Sequence, residues 1–185
     1  SDKVKADLFA SNESVLNSLI VVPASLVHNW QNEIMRFAPS LKSMVYVGSQ
    51  RSELLKDFQH HDIIISSYHT IRQDIEIIAN YRFHYVILDE SQVIKNPSSK
   101  IYKAMQILNS DFRLVLTGTP LENSLTDLWS QMNFINTGLL GSLNFFKKEY
   151  VLAIEKKNDE IISKKLKKLI NPFILRRTKE EVAKD

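Results

Sequence analysis

Five short apolar runs punctuate the first two thirds of the chain, at residues 19–22, 44–47, 63–65, 85–88 and 114–116. Each is rich in β-branched or aliphatic residues and shows no alternation with polar positions. Runs of that length and texture suit strands buried on both faces, as in a parallel sheet covered by helices. The stretches between them carry a helical period instead. Pro23 is followed by Ser25, which fits a helix N-cap, and Leu26, Trp30, Ile34 and Phe37 then form one stripe. Asn96-Pro97 predicts a second helix start with proline in its first turn, and Ile101, Ala104, Met105 and Leu108 share its apolar face. Ser124 precedes a third stripe of Leu125, Leu128, Trp129, Met132 and Ile135. Strand–helix alternation at this spacing predicts an α/β layered domain.

The pattern changes after about Asn136. Strand-like runs stop, and 142–168 reads as helix throughout, closed by Asn171-Pro172. The expected organisation is a weakly patterned segment at 1–18, an α/β body at 19–136, a helical protrusion at 137–170 and a trailing segment at 171–185.

Composition adds little and excludes some chemistry. With 44% hydrophobic and 24% charged residues the chain is an ordinary globular sequence. There is no cysteine, so disulfides and thiolate metal sites are excluded, in keeping with a reducing, intracellular setting. No apolar run approaches the ~18 residues of a membrane span, and no signal-peptide pattern opens the chain. The net charge of +3 does not by itself argue for nucleic acid, but nine of the 24 basic residues fall at 156–179. The lysines there, Lys164, Lys165, Lys167 and Lys168 among them, fit a solvated helix face or an approach to phosphates.

The candidate chemistry lies at two strand ends. Asp89 and Glu90 follow the run at 85–88, and Thr117-Gly118-Thr119-Pro120 follows 114–116. Two adjacent acids are costly inside an apolar core. At the carboxyl edge of a parallel sheet they can hold a hydrated Mg²⁺ and poise a water, as nucleoside triphosphate hydrolysis requires. Alone, the acid pair also fits a strand-end cap, and the threonine turn fits a plain strand-to-helix connection.

The order of the motifs narrows this. LIVVPASLVHNW at 19–30, SSYHTIR at 66–72, VILDESQ at 86–92 with IKN at 94–96, LTGTPLEN at 116–123 and PFILRR at 172–177 occur in sequence. Together they closely resemble the first ATPase lobe of the Swi/Snf-type, helicase-like ATPases of superfamily two, over about 19–182. The resemblance implies a RecA-like parallel sheet sandwiched by helices, with a helical protrusion after the third motif. It implies ATP and Mg²⁺ as cofactors of the complete protein, with Asp89 and Glu90 at the metal and Glu90 activating the hydrolytic water. Gln92, Thr117 and Thr119 would line the nucleotide and couple its state to lobe movement. Gln92 stands where many relatives carry histidine. A glutamine does not exchange protons at neutral pH, so coupling is its expected role. Double-stranded DNA is the implied partner, with Ser25, Asn29, Ser67, Tyr68, Arg72, Lys95, Asn96 and Asn123 at positions that match DNA-contacting motifs. A second lobe of the same protein is the other implied partner.

One family element is not found. The glycine-rich loop ending in Gly-Lys-Ser/Thr has no counterpart, since none of the four glycines precedes such a pair. In relatives it lies upstream of the strand matching 19–22. Two expectations follow: the 185 residues by themselves do not turn over ATP, and the strand at 114–116 has an open edge that leads to self-association, strand exchange or occupation of the gap by the segment at 1–18. A non-catalytic lobe kept for DNA or protein binding is the alternative. A receiver-type Mg²⁺ protein using Asp89 alone would not need the 116–120 turn in this form.

Overall fold

A computed structural model describes residues 16–118 and 124–175. These fall into two compact units that divide between Thr137 and Gly138.

The first unit is built on five parallel strands: β1 (Leu16–Val22), β2 (Ser43–Tyr46), β3 (Ile63–Ser67), β4 (Arg82–Leu88) and β5 (Asn109–Val115), in the order β2-β3-β1-β4-β5. All five predicted runs are strands, and those at the doubly covered centre lack alternation because both of their faces are buried. Leu19, Val21, Val22, Ile65, Val86 and Leu88 are fully buried. β1 begins at Leu16, three residues before the expected boundary.

Helix α1 (Val27–Phe37) covers one face, where Val27 and Ile34 pack with Ile20, Val22 and Ile65, and Trp30 and Ile87 lie alongside. The helix does not start at a Ser25 cap. Leu26 N–H bonds to the Pro23 carbonyl in a 3-10 turn over Ala24–Leu26, so Ser25 sits inside the turn and is exposed. Phe37, expected on the buried stripe, is 70% exposed. The other face carries α2 (Tyr68–Gln73), with the short α3 (Ile75–Ile78) following it, then α4 (Lys100–Gln106) and α5 (Leu125–Ile135). Helix α4 opens three residues after Pro97. Asn96 Oδ1 accepts from Ser98 N–H and hydroxyl in a local turn, and Ser99 takes the N-cap, accepting from Tyr102 N–H.

Half-buried Arg113 ties β5 to this second layer. Its guanidinium donates to the carbonyls of Gln106, Leu108 and Phe134, at the carboxyl ends of α4 and α5, and stacks over the Phe134 ring. On the α1 side β5 has no such cover among the described residues. Tyr85 stacks on Phe112 across the β4–β5 pair, and Tyr85, Phe112 and Leu114 are all exposed, with β5 at the end of the sheet order.

The second unit is helical, but the predicted continuous helix is broken. Helix α6 (Leu143–Phe146) runs into a wider helical stretch at Lys147–Lys156, and α7 (Glu160–Ile170) follows. Between them Asn158 has φ 51°, a conformation that asparagine tolerates, and Asp159 caps α7 by accepting from Ile161 and Ile162 N–H. Leu166 and Ile170 are buried, while Lys164, Lys165, Lys167 and Lys168 are exposed. No described helix is long and apolar enough to cross a membrane.

Candidate functional site

Because the sheet is parallel, the carboxyl ends of all five strands lie on one edge. The end of β4 carries Asp89 and Glu90, and the end of β5 leads to Thr117. The ends of β1 and β3 lead to Ser25 and Asn29, and to Ser67, Tyr68 and Arg72. Parallel pairing therefore gathers residues that are far apart in the chain.

Asp89 is pinned by four neighbours. Its N–H bonds to the Val21 carbonyl at 2.9 Å, and its carbonyl accepts the Tyr68 hydroxyl at 2.7 Å. Its Oδ1 accepts from Glu90 N–H at 2.9 Å, and its Oδ2 accepts from the Trp30 indole Nε1–H at 2.8 Å. Each carboxylate oxygen thus receives one donor and keeps acceptor capacity. Burial, and then the negative charges of Asp89 and Glu90, push the Tyr68 phenol far up, so it stays a neutral donor.

Glu90 has left-handed backbone angles, φ 49° and ψ 51°, uncommon for a residue with a side chain. Such strain concentrates at functional sites. The Ser91 N–H that follows bonds to the Leu116 carbonyl, and Leu116 N–H to the Leu88 carbonyl, which closes the acidic turn against the end of β5. Gln92 Nε2 donates to Glu90 Oε2 at 2.6 Å, and Gln92 Oε1 accepts the Thr117 hydroxyl at 3.1 Å. Glutamine presents a donor and an acceptor at once, so it bridges a carboxylate to a hydroxyl without carrying charge. Helix α5 holds the same turn from behind. The Ser91 hydroxyl, fully buried, donates to Gln131 Oε1, and Ser130 donates to the Lys95 carbonyl at 2.8 Å.

Among the described residues no group of three or more histidines and carboxylates gathers as a metal site. Mg²⁺ that shares its coordination with nucleotide phosphates and water needs only one or two carboxylates, so the Asp89–Glu90 pair fits it.

The expected DNA-facing residues divide. Ser25, Asn29, Lys95 and Asn96 are exposed, and Arg72 is half-buried, with a guanidinium nitrogen 3.3 Å from His69 Nδ1. Ser67 and Tyr68 are buried: Ser67 caps α2 by accepting from Thr70 N–H, and Tyr68 serves Asp89. Their side-chain polar atoms thus have partners inside the protein. Thr119 and Asn123 lie outside the described residues.

Trp30 was expected in the core with Trp129. Trp129 is buried, but Trp30 is half-buried with its one polar atom at Asp89. The signal was the indole N–H itself, which seeks a partner when covered. Gln131 was not singled out. A glutamine between Trp129 and Met132 on an apolar stripe is the sign that a buried polar partner faces it.

A parallel sheet with helices on both sides, and an acidic turn closed against a threonine turn at its carboxyl edge, defines an α/β lobe of the RecA-like type. The match to a SNF2-related domain runs over residues 6–185, and the chain belongs to that family. A solved SWI2/SNF2 ATPase core from Sulfolobus solfataricus, in complex with dsDNA, superposes with TM-score 0.83 at 40% identity, covering 98% of this chain and 36% of that one. An uncharacterized ATP-dependent helicase of Mycoplasma genitalium is 43% identical over 182 residues, 97% of this chain and 17% of that protein. The TATA-binding protein-associated factor MOT1 of Saccharomyces cerevisiae is 37% identical over 183 residues, 92% of this chain and 10% of that protein. The chain therefore spans only a minor part of each of these relatives.

Proposed function

We propose that the 185 residues are the first lobe of an ATP-dependent motor that moves along double-stranded DNA. ATP is hydrolysed between this lobe and a second lobe of the same protein. The observation that carries the reading is the connected path Glu90–Gln92–Thr117 at the carboxyl edge, next to a clamped Asp89. Family membership supports the same reading.

In this mechanism Asp89, with Glu90 beside it, would hold Mg²⁺, which would neutralise phosphate charge and orient the nucleotide. Glu90 accepts a proton from the attacking water. Gln92 orients the Glu90 carboxylate and reports the position of the Thr117 turn, and Thr119 is assigned the same coupling role from its place in the motif. DNA meets the same carboxyl edge beside the acidic turn. Ser25 and Asn29 follow β1, Arg72 follows β3, and Lys95 and Asn96 follow the acidic turn. Exposed hydroxyl, amide and cationic groups of this kind contact the phosphate backbone and carry no base readout. Ser67 and Tyr68 shape this surface from beneath, and Asn123 adds a further polar contact. The phosphate-gripping loop is supplied by chain outside these 185 residues, and its strand pairs with the open edge of β5.

The test is DNA-stimulated ATP hydrolysis by the two-lobe protein, with Glu90→Gln as the comparison. Loss of the general base is expected to cost about 10²–10⁴-fold in turnover. Equal rates overturn Glu90 as the base. Retained DNA binding with no ATP turnover by the unmutated protein favours a non-catalytic lobe.

A further inference from the structure

We propose that Trp30 is a positioning residue for the Mg²⁺-holding carboxylate, an inference that rests on the nucleotide-site reading above. Trp30 is the one residue of α1 bonded to the acidic turn among the described contacts, and the bond spans 59 positions of the chain. Its geometry is selective. A carboxylate swings about its Cβ–Cγ bond unless both oxygens are held. Glu90 N–H holds Oδ1 from within the turn, and the indole N–H holds Oδ2 from a separate helix. Two donors on two oxygens fix the carboxylate plane and leave its remaining acceptor directions in one orientation. Hydrogen bonds to a charged acceptor are the stronger and more directional kind.

The remaining contacts of Trp30 are apolar. Its ring lies against the cluster of Ile20, Val22, Val27, Ile34 and Ile65. Phenylalanine keeps the apolar character but fills less volume than the indole, so a ring of the indole's size without the N–H is needed to isolate the hydrogen bond. The same side chain stands one residue past Asn29 on α1 and five past Ser25 in the turn that precedes it, so the carboxylate is oriented by the segment that carries two of the proposed DNA contacts. Any shift of the α1 start is delivered to Asp89 through this bond.

Outer-shell partners of a metal-holding group typically matter about 10–100-fold in metal affinity. The experiment uses the full-length protein and titrates Mg²⁺ while following binding of a fluorescent ATP analogue. Two variants are compared with the unmutated protein: Trp30→Phe, and Trp30→benzothienylalanine, which keeps the ring shape and exchanges the N–H for sulfur. In both, the half-saturating Mg²⁺ concentration is expected to rise about tenfold, with nucleotide affinity in the absence of Mg²⁺ unchanged. An unchanged or lowered Mg²⁺ requirement in the benzothienylalanine protein overturns the positioning role, because that variant keeps the packing. An equal loss of affinity with and without Mg²⁺ overturns it as well, since that marks general damage to the site. If the unmutated protein shows no Mg²⁺-dependent nucleotide binding, the nucleotide-site reading itself fails, and this inference with it.

Discussion

Gln92 holds the Glu90 carboxylate at 2.6 Å with one end of its amide and receives the Thr117 hydroxyl with the other. The bridge joins the proposed water-activating acid to the turn after β5, and its Gln92–Thr117 arm spans 25 positions of sequence. Gln92→Ala removes both bonds and leaves Glu90 in its left-handed conformation without the one side-chain hydrogen bond it has among the described residues. Misplacement of a reacting group by about 1 Å costs on the order of 10²-fold. ATP turnover by the two-lobe protein is expected to fall by up to that amount, with equilibrium DNA binding unchanged. Turnover within twofold of the unmutated protein would show that the bridge does not orient Glu90.

The buried pair of Ser91 and Gln131 makes a separate, purely energetic prediction. Ser91 is fully buried and Gln131 is 4% exposed, so neither gains water readily when its partner is lost. Gln131→Leu strands the Ser91 hydroxyl and is expected to cost about 1–3 kcal/mol, whereas the double variant Ser91→Ala/Gln131→Leu recovers most of the loss. Urea unfolding of the two single variants and the double variant gives the coupling directly. Additive losses would mean that the two side chains do not depend on each other.

The strands were legible because burial on both faces leaves a local mark, an unbroken β-branched run. Helix ends were less so, because local turns compete for the same groups. Asn96 and Ser98 bond to each other, so Ser99 rather than Asn96-Pro97 begins α4, and the Pro23–Leu26 turn takes Ser25 out of the capping position. Asn158 broke a helix that periodicity alone carries through, since apolar residues continue in phase on both sides. At the site, the acids, Gln92 and Thr117 could be chosen from order and residue type. The partners of Asp89 could not. Trp30 and Tyr68 reach it from β1 and β3 crossovers, and that proximity exists only once the sheet order β3-β1-β4 is known.

Acid stability depends on Asp74. Its carboxyl is held below the usual carboxylate range chiefly by the hydrogen bond from Arg51, with Tyr46 adding a second and burial opposing both. A carboxyl depressed in the folded state contributes stability that is complete above its unfolded value, 3.8. That contribution is lost as pH falls through the lower folded value. Asp74→Asn is therefore expected to lower stability by about 1–3 kcal/mol at pH 7, with the gap to the unmutated protein closing below pH about 4. Melting temperatures measured from pH 7 to pH 2.5 check this, and a gap that stays constant across that range contradicts it.

The open edge of β5 predicts how these 185 residues behave in isolation. Phe112 and Leu114 are 53% and 47% exposed on the face that α1 leaves uncovered, and Tyr85 stacks beside them. An apolar strand at the end of a sheet offers both unpaired backbone groups and side chains to a second copy, and charge on such a strand is a common way to block that pairing. The isolated chain is expected to self-associate with rising concentration, and Leu114→Lys to shift it toward monomer with little change in melting temperature, since about half of the side chain is already exposed. Multi-angle light scattering over a hundredfold concentration range reads both outcomes. A unmutated chain that stays monomeric throughout would mean that this edge is closed in solution by the chain's own residues.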